Sequence, residues 1–265
     1  MPLVIQALGQ AGFVLRAGPT ALVIDPYLSN SVEESGEAAP GLFERRFPPP
    51  VLPAALSDVA VVLVTHAHGD HCDRETLLPL AEASPEARFW GPYPVVARLR
   101  EWGIAPRRIV EVEVGRGMAA ARGCIITALP SAHYGFDPNT AGEPAYVGYV
   151  VELDGITLYH SGDTIRYAGM AERLHTVGVD VAILPVNGRD AERERLGIVG
   201  NLEPEEAMRL AADAGASVIV PMHNDLFASN VRSPEEVDAA WRRCGERPHL
   251  RLLRQGETWA CSLDG

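Results

Sequence analysis

Three histidines and two aspartates fall within the nine residues Thr65 to Asp73, THAHGDHCD. Imidazole nitrogens and carboxylate oxygens are the donors that borderline divalent metals prefer, and a turn after a rigid strand can aim several of them inward together. His66 and His68 share a direction if the chain is still extended there, and Asp70 and His71 could then serve a second ion beside the first. A lone HxH reads as a polar turn, whereas HxHxDH directly after a buried strand reads as a metal site.

Three further residues sit in the same local setting of strand followed by turn. His133 follows the apolar run Cys124 to Leu129 in LPSAHYG, Asp163 follows Ile156 to Tyr159 in YHSGDT, and His223 follows Ser217 to Val220 in VPMHND. Singly, each is an ordinary turn residue. Together, four strand ends delivering seven His and Asp donors point to a dinuclear centre.

The elements that must carry these turns are legible as hydrophobic patterns. Leu3 to Leu8, Phe13 to Arg16 and Ala21 to Ile24 predict consecutive antiparallel strands, and Val59 to Val64 predicts a strand buried on both faces. Helical spacing over Arg74 to Ala83 and Pro94 to Trp102 alternates with strands Arg88 to Trp90, Ile109 to Val114 and Cys124 to Leu129. Val147 to Leu153 and Ile156 to Tyr159 predict a hairpin across Asp154-Gly155. Helices Tyr167 to Leu174, Glu203 to Ala214 and Pro234 to Cys244 then alternate with strands Val179 to Leu184, Ser217 to Val220, Leu250 to Leu253 and Thr258 to Ser262. Strands with interspersed helices in both halves imply an α/β (α+β) chain, with two sheets face to face and helices outside, in one domain over 1–265. The Pro-rich stretch at about 29–56, with Phe43, Phe47 and Arg45-Arg46, is expected to be a lid over the site.

The sequence resembles the metallo-β-lactamase fold superfamily, whose HxHxDH motif and later His, Asp and His positions match all seven donors. Within it the chain is similar to the L-ascorbate 6-phosphate lactonase group, through YHSGDT, DVAILPVNGRD, NLEPEEA and VIVPMHNDLF. The resemblance implies a four-layer αββα sandwich. It also implies that His66, His68 and His133 hold one metal, that Asp70, His71 and His223 hold the other, and that Asp163 bridges them. Asp25 is expected to hydrogen-bond a ligand histidine, or else to cap the turn before Pro26. His160 either lines the site or ends its strand; His175 and His249 carry no assigned role.

Two divalent ions about 3.5 to 4 Å apart can hold a hydroxide for attack on a carbonyl or phosphoryl centre and can stabilise the oxyanion that develops. No GxSxG nucleophile motif is present. Asp70 is expected to orient the nucleophile and pass its proton to the leaving group. The expected substrate is a small anionic ester or lactone, of the L-ascorbate 6-phosphate type, with Arg189, Arg166, Asn187 and Asn201 as its candidate contacts and Arg45 and Arg46 as weaker ones. The alternative is a metal-dependent phosphodiesterase on a small phosphodiester. A purely structural or sensory role fits poorly, since structural sites are usually mononuclear and closed. The donor set suits Zn or Mn, with Fe also compatible.

The composition sets the outer limits. Among 265 residues, 35 acidic side chains against 23 basic ones give a formal charge of -12. That balance disfavours nucleic acid as a partner, because backbone binding needs clustered cations. It does not disfavour a small anion, since a pocket holding two cations is locally positive. No run approaches the roughly 20 apolar residues of a membrane span, and the N-terminus lacks a basic start and a continuous apolar run, so a cytoplasmic protein is expected. Cys72, Cys124, Cys244 and Cys261 lack CxxC spacing and are expected as free thiols. The resemblance suggests a homo-oligomer.

Overall fold

The computed structural model of the chain describes residues 2–36, 41–133 and 144–263. The first three apolar runs form antiparallel strands β1 (Val4–Gly9), β2 (Gly12–Ala17) and β3 (Thr20–Ile24). After the short helix α1 (Ser31–Glu34), the chain builds β4 (Val61–Leu63), α2 (Arg74–Ala83), β5 (Arg88–Gly91), α3 (Tyr93–Glu101) and β6 (Ile109–Glu111). These three strands run parallel to β3.

A second sheet starts with four antiparallel strands, β7 (Gly117–Ala121), β8 (Cys124–Pro130), β9 (Val147–Leu153) and β10 (Ile156–His160). It continues in parallel through α4 (Met170–Val177), β11 (Val181–Pro185), α5 (Ala191–Arg195), α6 (Pro204–Asp213), β12 (Val218–Met222), α7 (Pro234–Arg243) and β13 (His249–Leu250). The last strand, β14 (Thr258–Ala260), returns to pair with β1. The result is two seven-stranded sheets, ordered β14-β1-β2-β3-β4-β5-β6 and β13-β12-β11-β10-β9-β8-β7.

Alternation along single strands explains why the sheets stack with helices outside. In β4 and its extension, Val61 and Leu63 enter the core between the sheets, beside Leu22, Ile24, Tyr149 and Val151. Val62 and Val64 point the other way, packing with Leu77 and Leu80 of α2 and Val95 and Leu99 of α3. On the far side, Val150, Ala182 and Ile219 pack with Leu174 of α4, Leu210 of α6 and Val237 of α7. Each fully buried Val or Leu contributes roughly 1.5–3 kcal/mol, so a strand apolar on both faces gains from being covered on both. The αββα layering expected from the sequence is the fold observed.

Local differences have local causes. Strand β7 was not expected, because its sequence GMAAA carries no apolar alternation; it forms by pairing with β8. The run Leu250 to Leu253 pairs only at its start, where β13 meets β12. Helix α4 starts three residues later than the pattern implied, because Gly169 takes a left-handed φ of +79° immediately before it. The Asp154-Gly155 hairpin turn has φ of +54° and +79°, the pair that a tight two-residue turn requires. No described helix is long and apolar enough to cross a membrane. The four cysteines are unpaired thiols, and burial pushes Cys72 up to about 12.

Candidate metal centre

All seven donors lie just beyond the C-terminal ends of strands. His66, His68, Asp70 and His71 follow β4, His133 follows β8, Asp163 follows β10 and His223 follows β12. His66, His68, His133 and Asp163 form one group and Asp70, His71 and His223 another, with the donor atoms in each within 4.8 Å of one another. Asp163 joins the two: its Oδ2 is 3.6 Å from His133 Nε2, and its Oδ1 is 3.3 Å from both His71 Nε2 and His223 Nε2.

The ring orientations are set by neighbours. Asp25, fully buried, accepts from His71 Nδ1 at 2.7 Å, which leaves His71 Nε2 to face the centre. The same carboxylate accepts from the Thr65 backbone N–H at 2.8 Å and from Thr65 Oγ1 at 2.6 Å. Because the one Thr65 hydroxyl proton goes to Asp25, Oγ1 must accept at 3.0 Å from His66 Nδ1, and His66 Nε2 is left for a ligand. His160 spends both nitrogens on backbone: Nε2 donates to Ala11 O at 2.9 Å and Nδ1 accepts from Gly162 N–H at 3.1 Å. It therefore holds the turn that presents Asp163 and has no nitrogen left to coordinate.

These residues fit divalent metal. His71 Nε2 and Asp163 Oδ1 are buried and make no well-aligned hydrogen bond among the described residues although they stand 3.3 Å apart, which suits donors aimed at a common ion rather than at each other. Charge divides the two groups. Burial holds His66 and His68 below the ordinary imidazole value and takes His133 down to about 4. Burial acts the same way on His71 and His223, but the neighbouring carboxylates outweigh it. Asp163, Asp70 and Asp25 hold His71 well above its usual value, while Asp163 and Asp70 raise His223 to about 9. Asp70 and Asp163 are in turn kept below the usual carboxylate range, since His71 and His223 overcome the opposing effect of burial. The carboxylates around His71 and His223 thus favour positive charge on that side of the centre.

Several contributors carried no sequence signal. Gln10, buried in the turn between β1 and β2, donates from Nε2 to Asp70 Oδ2 at 2.8 Å, and the same nitrogen lies 3.0 Å from His223 Nε2. Its backbone carbonyl accepts from His223 N–H at 2.7 Å, and its own N–H donates to Asp225 Oδ1 at 3.0 Å. Gln10, Asp25 and His223 all have left-handed backbones, with φ of +55°, +43° and +61°. Such strain persists only where surroundings over-determine it, and it gathers at functional sites. Tyr146 places its ring 5.1 to 5.7 Å from the rings of His66, His68 and His133.

The substrate contacts expected from the sequence lie elsewhere. Arg189 is bound bidentately by Glu206, at 2.6 and 2.8 Å, and also donates to Asn201 O. Arg166 pairs with Asp213 at 2.6 Å. Asn187 and Asn201 are buried against each other, Asn201 Nδ2 donating to Asn187 Oδ1 at 3.1 Å. None of the four lines the cavity of about 270 Å³ that opens onto His68, Asp70, His133, Asp163 and His223.

The 29–56 stretch, of which residues 37–40 fall outside the described part, does reach this cavity through Val32 and Phe43. Val32 packs over the metal-loop turn: a Cβ at Gly69 would stand 3.1 Å from Val32 Cγ2, a tight approach that a side chain there would have to relieve by shifting Val32. Arg45 donates to the carbonyls of Tyr27 and Ser29, both at 3.1 Å, and Arg46 donates to Asp225 O at 3.2 Å. Arg46 thereby ties the stretch to the loop after β12, and Arg45 ties it to the segment after β3; neither lines the cavity.

Two stacked sheets with a His and Asp cluster at one end of their strands are the frame of a known superfamily. Residues 20–224 match the beta-lactamase superfamily domain, and the chain belongs to that superfamily. A UPF0173 metal-dependent hydrolase from Thermococcus kodakarensis is 28% identical over 258 residues, covering 96% of this chain and 97% of that protein. Two solved structures share the fold. Igni18, a metallo hydrolase from Ignicoccus hospitalis, has a TM-score of 0.74 at 22% identity, over 98% of both chains. The isothiocyanate hydrolase from Delia radicum gut bacteria has a TM-score of 0.76 at 20% identity, over 97% of this chain and 99% of that one.

Proposed function

We propose that the chain is a metal-dependent hydrolase that cleaves a small ester or lactone at two divalent ions held by the donor groups linked through Asp163. The observation that carries this reading is the Asp163 carboxylate itself, with one oxygen toward His133 and the other toward both His71 and His223. The names of the sequence relatives support it, as does a donor set of five imidazoles and two carboxylates that suits Zn, Mn or Fe. When bound, the ions would supply the charge that acidifies water and stabilises a developing oxyanion.

The chain's own residues do the rest. His66, His68 and His133 would hold one ion and Asp70, His71 and His223 the other, with Asp25 and Thr65 fixing which ring nitrogens are presented. Asp70 is the carboxylate open to the cavity, its side chain 18% exposed against 5% for Asp163. It can take a proton from the attacking water and return it to the leaving oxygen, with Gln10 steadying its Oδ2. In that reaction the water oxygen bonds to the carbonyl carbon, the carbon–oxygen bond to the leaving group breaks, and the leaving oxygen ends protonated. The ring ester of a lactone presents such a bond.

The test is to assay a lactone, an aryl ester and a bis-aryl phosphodiester with Zn-loaded and Mn-loaded protein. Turnover of the lactone or ester, abolished by a chelator and restored by metal, is the expected result. Turnover of the phosphodiester alone overturns the carbonyl reading, and chelator-resistant turnover overturns the metal reading.

A further inference from the structure

Beyond its candidate metal donors and two glycines, the described lining of the cavity is apolar but for Asn230. Val32, Phe43 and Phe227 contribute one set of side chains and Ile198 and Val199 another, from stretches far apart in sequence. The Phe43 ring meets Phe227 edge-on at 5.3 Å, and Phe227 in turn packs on Tyr27 at 5.8 Å, so this wall is backed by a buried aromatic cluster. Asn230, 3% exposed, is the one uncharged polar side chain on the described lining, and its Oδ1 has no hydrogen-bond partner among the described residues.

No arginine is among the described residues of this lining. All 23 basic residues are arginines, and the two undescribed internal stretches, 37–40 and 134–143, contain none of them. The arginines nearest in sequence to the lining residues are already engaged. Arg45 and Arg46 serve backbone carbonyls, Arg193 serves Asp190 and the carbonyl of Asn187, Arg195 serves the carbonyl of Ala191 at 3.1 Å, and Arg232 pairs with Glu203 at 3.8 Å. A phosphate or carboxylate tail placed against Phe43 and Val199 would lose its water without gaining a counter-charge there.

We propose that the substrate is uncharged away from its scissile group, with an acyl or aryl substituent packed against Val32, Phe43, Phe227, Ile198 and Val199 and one hydrogen-bonding group within reach of the Asn230 amide. The proposal rests on the cavity being the hydrolase's substrate site, and it replaces the anionic substrate expected from sequence with a neutral, apolar-substituted one.

The experiment has a kinetic arm and a binding arm, both on metal-loaded protein. In the kinetic arm, kcat/KM is measured for aryl esters of acetate, butyrate and hexanoate and for an ester bearing a terminal carboxylate. Each methylene that enters the wall should raise kcat/KM roughly fourfold until the cavity is full. The carboxylate-bearing ester should fall below its neutral counterpart, and Val199→Arg should reverse that order. Phe43→Ala should flatten the chain-length dependence.

In the binding arm, the affinities of butyramide and hexanamide are measured by NMR titration. Hexanamide should bind more tightly than butyramide, and Phe43→Ala should remove the difference. Preference of the wild-type protein for the charged ester, or a chain-length dependence equal in wild type and Phe43→Ala, overturns the proposal. Absence of any ester or lactone turnover strikes the hydrolase reading instead. The wall is then judged by the amides alone, and equal affinity for the two amides overturns it.

Discussion

Asp25 Oδ2 and His71 Nδ1 stand 2.7 Å apart with both side chains fully buried, so the carboxylate fixes the tautomer of a histidine that, like His223, faces both Asp70 and Asp163. Replacing Asp25 removes this bond and the two from Thr65 in one step. Asp25→Ala is expected to weaken metal binding at the His71 group by about 10- to 100-fold. It should also destabilise the fold by roughly 1–3 kcal/mol, because the buried Thr65 N–H loses its acceptor. Chelator competition and denaturant titration measure the two effects. Unchanged metal affinity in a folded variant would remove Asp25 from the centre's support.

Asp163 is the only described side chain placed to serve both donor groups. Wild-type protein is expected to retain about two metal equivalents by elemental analysis. Asp163→Ala should lose metal from both groups, whereas His68→Ala should spare the Asp70, His71 and His223 group. Identical residual stoichiometries in the two variants would argue against a shared carboxylate.

The charge balance around His223 sets a pH dependence. His223 is raised to about 9 from an ordinary 6.5, with burial opposing and Asp163 and Asp70 prevailing. Its pairing with those carboxylates therefore stabilises the metal-free fold fully below about 6.5 and is lost as pH rises through about 9. Metal must displace that proton, so binding near neutrality should release protons, and release should fade above about 9. Calorimetry in buffers of different ionisation enthalpy reads the release, and thermal melting of metal-free protein across the same range reads the stability. No proton release at neutral pH would mean that His223 is already neutral.

Gln10 acts on Asp70 through one hydrogen bond to a charged group, worth about 1.5–3 kcal/mol when intact. Gln10→Leu keeps the bulk and removes the donor. It should lower kcat by about tenfold or more while metal content and KM stay near wild type. A change confined to KM would place Gln10 at the substrate instead.

Arg189→Ala provides the contrast. Its salt bridge with Glu206 is about one-third exposed on each side, so its loss should cost no more than about 1 kcal/mol. KM for ester substrates should be unchanged. A selective rise in KM for anionic substrates would return Arg189 to the substrate.

The clustering of the candidate donors was legible because each belongs to a strong local pattern, an apolar strand that ends abruptly in a His or Asp turn. The layering was legible for the same reason, since alternation within Val61 to Val64 encodes two covered faces. Gln10 was not, because a neutral amide between Gly9 and Gly12 looks like any turn residue until the loop after β12 folds against it. Arg189 misled because its partner Glu206 lies 17 positions away, on a helix that its own local sequence cannot foresee. The apolar wall was hidden in a similar way: Phe43 and Phe227 become neighbours only when the 29–56 stretch docks on the loop that carries His223.

The two-faced strand β4 has a consequence for how this protein can change. Its odd positions, Val61 and Leu63, face one core and its even positions, Val62 and Val64, the other, and His66 leaves the strand two residues past Val64. Inserting or deleting one residue here would exchange the two sets of side chains and also turn the HxHxDH loop to the opposite face. Substitutions within β4 can be absorbed one by one, but its length is locked by two cores and a metal loop at once. Variation in this lineage is therefore expected to spare the spacing from β4 to His66 and to collect in the 29–56 stretch and around α5, where the wall that meets the substrate can be rebuilt without disturbing the donors.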